Sequence, residues 1–416
     1  MENNILHNKN LKASLRRSQS RQKLNAFFLI LPLLLFVLIT FVFPIGDMLF
    51  RSVENQIVSN TLPKTVKSLS TWEINSADIP DEIVFKSLAE DLQIAVKNKL
   101  HTRLGSRLNY EMSGIASSFR KTGRQIKKWD LSEIDSFQSK FIEVDKKWGD
   151  LEFWKTLKLY SPNYTSGYIA NALDLKRTEN GFEQRDEKER IYIFLFQRTI
   201  FMSLVITILC LLMGYPVAYL ISRLPLNIAN LLLIFVLLPF WTSLLVRTSA
   251  WKVLLQQEGV INDILVFIGF VDNLDRLQLI NNQIGTIVAM THILLPFMIL
   301  PLYSVMKTIP ESYVRAAKSL GANEFTAFRR VYFPQSIPGV GAGCILVFIL
   351  SIGYYITPEI VGGTSGTFIS NRIAYHISYS LNWGLGAALA SILFIAVSVL
   401  YYLYDRMIGI DNVKLG

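Results

Sequence analysis

The sequence predicts an all-α integral membrane protein with six transmembrane helices and a mainly helical extracytoplasmic insert between the first and the second. Three observations carry that expectation. Apolar side chains make up 51% of the 416 residues and gather in six long runs, each able to cross a hydrocarbon core of about 30 Å at about 1.5 Å per residue. In the N-terminal tail and the short loops, Lys and Arg gather on one side of those runs, the bias that marks cytoplasmic segments. Few stretches alternate apolar and polar residues in the manner of a half-buried strand.

Residues 1–25 carry Lys9, Lys12, Arg16, Arg17, Arg21 and Lys23 against Glu2 alone, which makes them a cytoplasmic tail. Residues 26–50 form the first transmembrane helix. A cleaved signal peptide would have a shorter apolar region ending in small residues, whereas this run carries Phe41, Phe43 and Pro44 towards its exit. Residues 51–190 change to the composition of a soluble domain, with Trp72, Trp129, Trp148 and Trp154 to build a core. Ile83, Val84, Leu88, Leu92, Ile94 and Val96 recur at near-helical spacing there. Its basic content does not prevent export, because charge bias acts through short loops, and it contains no cysteine to cross-link.

Residues 191–404 form the five-helix core, with apolar runs at 191–222, 227–255, 284–306, 339–357 and 383–404. Six crossings return residues 405–416 to the cytoplasm as a C-terminal tail. The insert then shares its side with loops 256–283 and 358–381, which are poor in Lys and Arg.

The polar stretch 307–338 falls on the opposite side and reads as two short amphipathic helices. Pro310 suits a first helical turn, and Ala316, Ala317 and Leu320 follow at helical spacing. Gly321 permits a turn, Asn323 can cap the next helix, and Phe325, Phe328 and Val331 give it an apolar stripe that Pro334 is expected to end. Lys307, Arg315, Lys318, Arg329 and Arg330 outnumber Glu311 and Glu324, which makes the loop cytoplasmic and able to meet a partner there.

Several chemistries are excluded. There is no G-x-x-x-x-G-K-[ST] phosphate loop, so the chain has no visible means of binding a nucleotide through backbone amides and a lysine. His7, His101, His292 and His376 are scattered, and Cys210 and Cys344 lie alone in apolar runs, which argues against a metal site or a disulfide. The net charge of +10 sits largely in the tail and in the 307–338 loop, a pattern of membrane orientation rather than nucleic-acid binding.

Trp241, Arg247, Tyr354, Tyr355 and Glu359 lie near helix ends on the insert side and form the candidate solute pathway. Arg247 either marks that pathway or snorkels to the headgroups. Glu359, like Asp47, can offer a carboxylate to a cationic solute beside Trp241, Tyr354 or Tyr355. Anchoring in an interfacial belt is the alternative for each ring.

The loop motif R-A-A-K-S-L-G-A from Arg315, with F-P at Phe333-Pro334, resembles the E-A-A loop of ABC-importer permeases, with Arg315 where the family has its acid. PFWTSLLVRTSAW from Pro239, GVINDIL from Gly259, TPEIVGG from Thr357 and NWGLGAALA from Asn382 resemble spermidine/putrescine permeases, and RLNYEMSG from Arg107 a longer-insert subgroup of them. The resemblance implies the type I ABC importer permease fold in a bacterial cytoplasmic (inner) membrane. It implies a second permease subunit, an ATPase pair that binds ATP and Mg, and an extracytoplasmic solute-binding protein. Arg315, Ala316, Ala317, Gly321, Phe328 and Pro334 then belong to the ATPase-coupling loop. Polyamines are the expected solute. Ferric ion or an amino-acid derivative on the same fold is the alternative, and a non-transporting receptor with the insert as its sensor is a further one.

Overall fold

The computed structural model describes residues 2–74, 76–178 and 181–408. Among them, five helices are long and apolar enough to cross a membrane: Arg21–Arg51, Tyr192–Arg223, Gln283–Thr308, Glu324–Gly353 and Trp383–Arg406. Leu226–Trp241 and Leu244–Leu254 meet at 93° and supply a sixth crossing when taken together. Numbered along the chain, the bent pair is the third span. The first helix already begins at Glu2, ahead of the apolar run. Residues 409–416 of the expected C-terminal tail lie outside the described residues.

Two expectations are corrected. The run 227–255 is not one straight helix. Pro239 lies in the 3-10 turn Leu238–Trp241, Thr242 is extended, and Ser243 starts a new helix by accepting the Val246 N–H at 3.2 Å. Pro334, in contrast, does not end the loop's second helix, which continues into the fifth span. A proline in an α-helix lacks a donor and strikes the carbonyl four residues back. Here the π-helical turn Phe328–Tyr332 immediately precedes Phe333-Pro334 and loosens the ladder at that point. The first span repeats the device, with a π-turn at Leu38–Val42 before Phe43-Pro44.

The second, fourth and fifth spans pack on one another around Met202, Ile206, Met290, Leu294, Met298 and Val347. Gly339 and Gly343 bring the fifth span close to the fourth. A Cβ at Gly343 would lie 2.7 Å from Met298 Sδ, and one at Gly339 3.0 Å from Val305 Cβ. The first span meets the sixth through Phe43–Arg51, and its membrane-depth residues are otherwise uncovered.

The insert has its own aromatic core. Trp148 donates to Thr122 Oγ1 at 2.9 Å and Trp154 to the Trp148 carbonyl at 2.8 Å, so both buried indoles are satisfied among Phe85, Phe119, Phe141 and Phe153. Glu82 accepts the N–H groups of Phe137 and Gln138 at 2.9 and 3.2 Å, capping the helix Phe137–Val144 across the domain. Among the described residues one antiparallel hairpin, Leu175–Thr178 with Gly181–Gln184, interrupts the helices.

Asp174 joins this domain to the membrane core. Its buried carboxylate accepts the N–H groups of Ile191, Tyr192 and Ile193 at 3.1, 3.1 and 2.8 Å, at the positive end of the second span. Asp174→Ala should therefore cost about 1–2 kcal/mol and lower the thermal midpoint of the purified chain, with Asp174→Asn losing less. An unchanged midpoint in Asp174→Ala would mean that those amides find other partners.

Candidate functional site

On the side opposite the insert, the helices Glu311–Ser319 and Glu324–Ala327 meet at Gly321. Gly321 N–H donates to the Lys318 carbonyl at 3.0 Å and Ala322 N–H to the Ala317 carbonyl at 3.1 Å, the paired bonds of a Schellman turn. That turn requires the left-handed backbone Gly321 adopts, φ +91°. Asn323 caps the second helix by accepting the Thr326 N–H at 2.8 Å, and Lys318 pairs with Glu324 at 2.6 Å across the corner. Arg315 and Ala316 face solvent, while Tyr313, Leu320 and Phe325 expose apolar surface around them. Leu320 is 90% exposed, which suits a docking face better than a free end.

Behind that face, Phe328 is locked among rings. Its centroid lies 6.2 Å from Tyr215, 5.7 Å from Tyr219, 6.0 Å from Tyr332 and 6.3 Å from Phe333. The Arg223 guanidinium stacks over Tyr219 at 4.4 Å and Tyr332 at 5.1 Å. Tyr215 and Ser336 share a hydrogen bond of 2.9 Å. A push on the exposed face therefore reaches the second and fifth spans together through packed aromatics. Ala317 is half-buried beneath the face, and exposed Pro334 directly follows Phe333.

On the insert side the five pathway residues divide. Tyr355 and Glu359 line a cleft of about 300 Å³ with Asn371, Arg372, Tyr375 and Tyr379. Asn371 Nδ2 donates to Glu359 Oε2 at 2.6 Å and to the Tyr355 carbonyl at 2.9 Å, which fixes the carboxylate at the cleft wall. Arg247 belongs elsewhere. Its guanidinium lies 5.9 Å from the Phe240 ring, with Nε and Nη1 buried and unpartnered, within electrostatic reach of His292 and Tyr354. Thr248 beside it shares a hydrogen bond of 3.2 Å with Thr357, tying the bent span to the segment that carries Glu359. Trp241 sits at the bend, 78% exposed.

Sequence reasoning missed Asn371, Arg372 and Tyr375, which reach the cleft from the helix Ile369–Ser378. His376 on that helix is structural. Its ring bridges Tyr192 at 2.9 Å and Ser380 at 3.0 Å, and burial, reinforced by the Arg372 charge, pushes its pKa down to about 4. It stays neutral near pH 7. No group of three or more potential metal ligands occurs among the described residues.

Residues 204–409 match the family model of the binding-protein-dependent transport system inner membrane component. The spermidine/putrescine transport system permease protein PotB of Haemophilus influenzae is 35% identical over 225 residues, covering 54% of this chain and 78% of its own. PotB of Escherichia coli K12 is 32% identical over 225 residues, covering 54% and 81%. The E. coli inner membrane ABC transporter permease protein YdcU is 31% identical over 222 residues, covering 51% and 70%. Among solved structures, a bacterial ABC transporter involved in alginate import aligns with a TM-score of 0.43 and 19% identity, over 55% of this chain and 82% of that one. The chain belongs to the inner membrane components of binding-protein-dependent transport systems, the permeases of ABC importers.

Proposed function

We propose that this multi-pass inner-membrane permease admits polyamines of the putrescine and spermidine type. The observation that carries the reading is the 35% identity to a permease named for those solutes. The cleft supports it chemically. Glu359 can pair with an ammonium group while exposed Tyr355 and Tyr379 offer ring faces to an alkylammonium chain. Arg372 on the same wall weakens the hold on a cation, as a path that must release its cargo requires.

In this reading an ATPase pair, which binds ATP and Mg, docks on the face formed by Tyr313, Ala316, Leu320 and Phe325. A second permease subunit completes the channel, and an extracytoplasmic binding protein delivers the solute. ATP closes the ATPase pair, Phe328 carries the motion to the second and fifth spans, and the solute side opens by differential binding of the two states. This chain supplies no cofactor of its own. The insert and the cleft face outward, and both termini face the cytoplasm.

Impermeant maleimide should label a cysteine at Ser139 in outer-membrane-permeabilised cells and miss one at Ser18; the opposite pattern would invert the topology. In cells lacking other polyamine importers, deletion of this chain should abolish uptake of labelled putrescine or spermidine. Complementation with Glu359→Gln should raise the KM for the cation. Uptake unaltered by deletion would remove the solute assignment and leave the permease fold standing.

A further inference from the structure

The insert meets the start of the sixth span over a groove of about 760 Å³, to which the proposed transport gives no task. Its walls include Arg51, Glu54, Arg103, Arg107, Asn382 and Trp383. Arg107 is 5% exposed. Its Nε donates to Tyr168 Oη at 2.7 Å and its Nη1 to Glu111 at 2.7 Å, but Nη2 has no partner. Glu111 cannot neutralise this arginine fully, because it also faces Arg185 at 3.4 Å. Asn382 is 6% exposed, and its Oδ1 accepts the Leu385 N–H at 3.3 Å. That bond sets the amide so that Nδ2, a donor without a partner, is left over. Two buried residues on one groove thus each keep an unused N–H, which calls for an acceptor. Exposed Arg103 adds a positive charge at the rim, whereas Arg51 is occupied by Asp47 at 2.7 Å and is near Glu54.

The depth of the groove identifies the acceptor. Arg51 ends the first span and Trp383 begins the sixth, so the groove opens where hydrocarbon gives way to headgroups. We infer that it binds the phosphodiester of an anionic phospholipid in the leaflet on the insert's side, with Arg103, Arg107 and Asn382 as donors. The acyl chains then run along the uncovered first span, and the lipid fastens the insert to the membrane core. The inference needs only that the chain crosses the membrane; it is independent of which solute is carried.

The full chain, reconstituted in nanodiscs of phosphatidylcholine with and without phosphatidylglycerol, tests this by thermal unfolding, with native mass spectrometry of bound lipid. Phosphatidylglycerol should raise the unfolding midpoint and remain bound at one molecule per chain. Arg103→Glu should cut the retained lipid at least about fivefold and remove the midpoint rise. That threshold corresponds to the lower end of typical coupling effects. Asn382→Asp, which preserves the bond to Leu385 N–H and replaces the free donor with a carboxylate, should do the same. An equal midpoint in the two lipids, or an undiminished rise in both variants, would overturn the site. If inorganic phosphate in phosphatidylcholine discs reproduced the full rise, the groove would be a free-anion site and the lipid assignment would fail.

Discussion

Gly321→Val should uncouple this permease from ATP hydrolysis while leaving it folded. A Cβ at Gly321 meets nothing within 4 Å, so no clash opposes the substitution. The cost comes from the backbone, since a β-branched residue at φ +91° is strained by about 1–3 kcal/mol. Such a penalty is small beside a six-span fold but comparable with a coupling free energy of about 1–3 kcal/mol, or roughly 5- to 150-fold. Relief of the strain would undo the Schellman turn and change the angle between the helices that expose Tyr313 and Phe325. With the ATPase, the second permease and the loaded binding protein reconstituted, solute-stimulated hydrolysis should fall at least about fivefold, and the ATPase should co-purify poorly. Arg315→Ala should do less, because Arg315 is exposed where the family has an acid. Full stimulation in Gly321→Val would show that this corner is not the coupling element.

Gly366→Ala should be the more damaging change to the fold. A Cβ there would lie 2.5 Å from the Gly362 carbonyl oxygen and 2.6 Å from that of Asn282, both backbone atoms that cannot swing aside. The surrounding segments interlock: Asn281 N–H donates to the Val361 carbonyl at 2.9 Å, and Thr286 Oγ1 to the Gly366 carbonyl at 3.1 Å. One methyl group must part the start of the fourth span from the helix Ile356–Val361 that carries Glu359. Overpacking typically costs about 1–3 kcal/mol, and the absence of a yielding side chain puts this case at the upper end. The purified variant should unfold at a lower temperature and transport poorly. Gly353→Ala, where a Cβ meets nothing within 4 Å, serves as the control and should match the parent in both assays. Equal stability of the two variants would mean that the interlock yields more easily than its geometry indicates.

The membrane spans were legible because a bilayer imposes one length and one polarity on every crossing, and local composition reports both. Gly321 was legible for a similar reason, since a glycine between two amphipathic turns with Asn just beyond it has few other uses. The 93° bend was not, because apolar residues continue on both sides of the break and its angle depends on how Thr242 and Ser243 set the backbone. Pro334 misled because the rule against prolines in helices is local, and the π-turn that accommodates it leaves no compositional trace. Glu359 could be singled out as a carboxylate near a helix end. Its holder Asn371 stands 12 residues away and meets it only when the intervening segment folds back, so spacing could not pair them. The close approach of Gly363 to the Asn281 backbone is likewise a property of the assembled fold.

The two π-turns also set angular phase. In an α-helix each residue advances the side-chain direction by about 100°, whereas a π-turn takes up an added residue without completing a further turn. The halves of the fifth span on either side of Phe328–Tyr332 are therefore out of step by about one residue's rotation, about 100°. That offset lets Phe325 point away from the bundle while Gly339 and Gly343 press against the fourth span. Removing one residue from Phe328–Tyr332 would restore continuous α-helical phase and turn the Phe325 face about the helix axis relative to the membrane half. The extra residue acts as a fixed gear offset between the part of the helix that meets a partner and the part that lines the bundle.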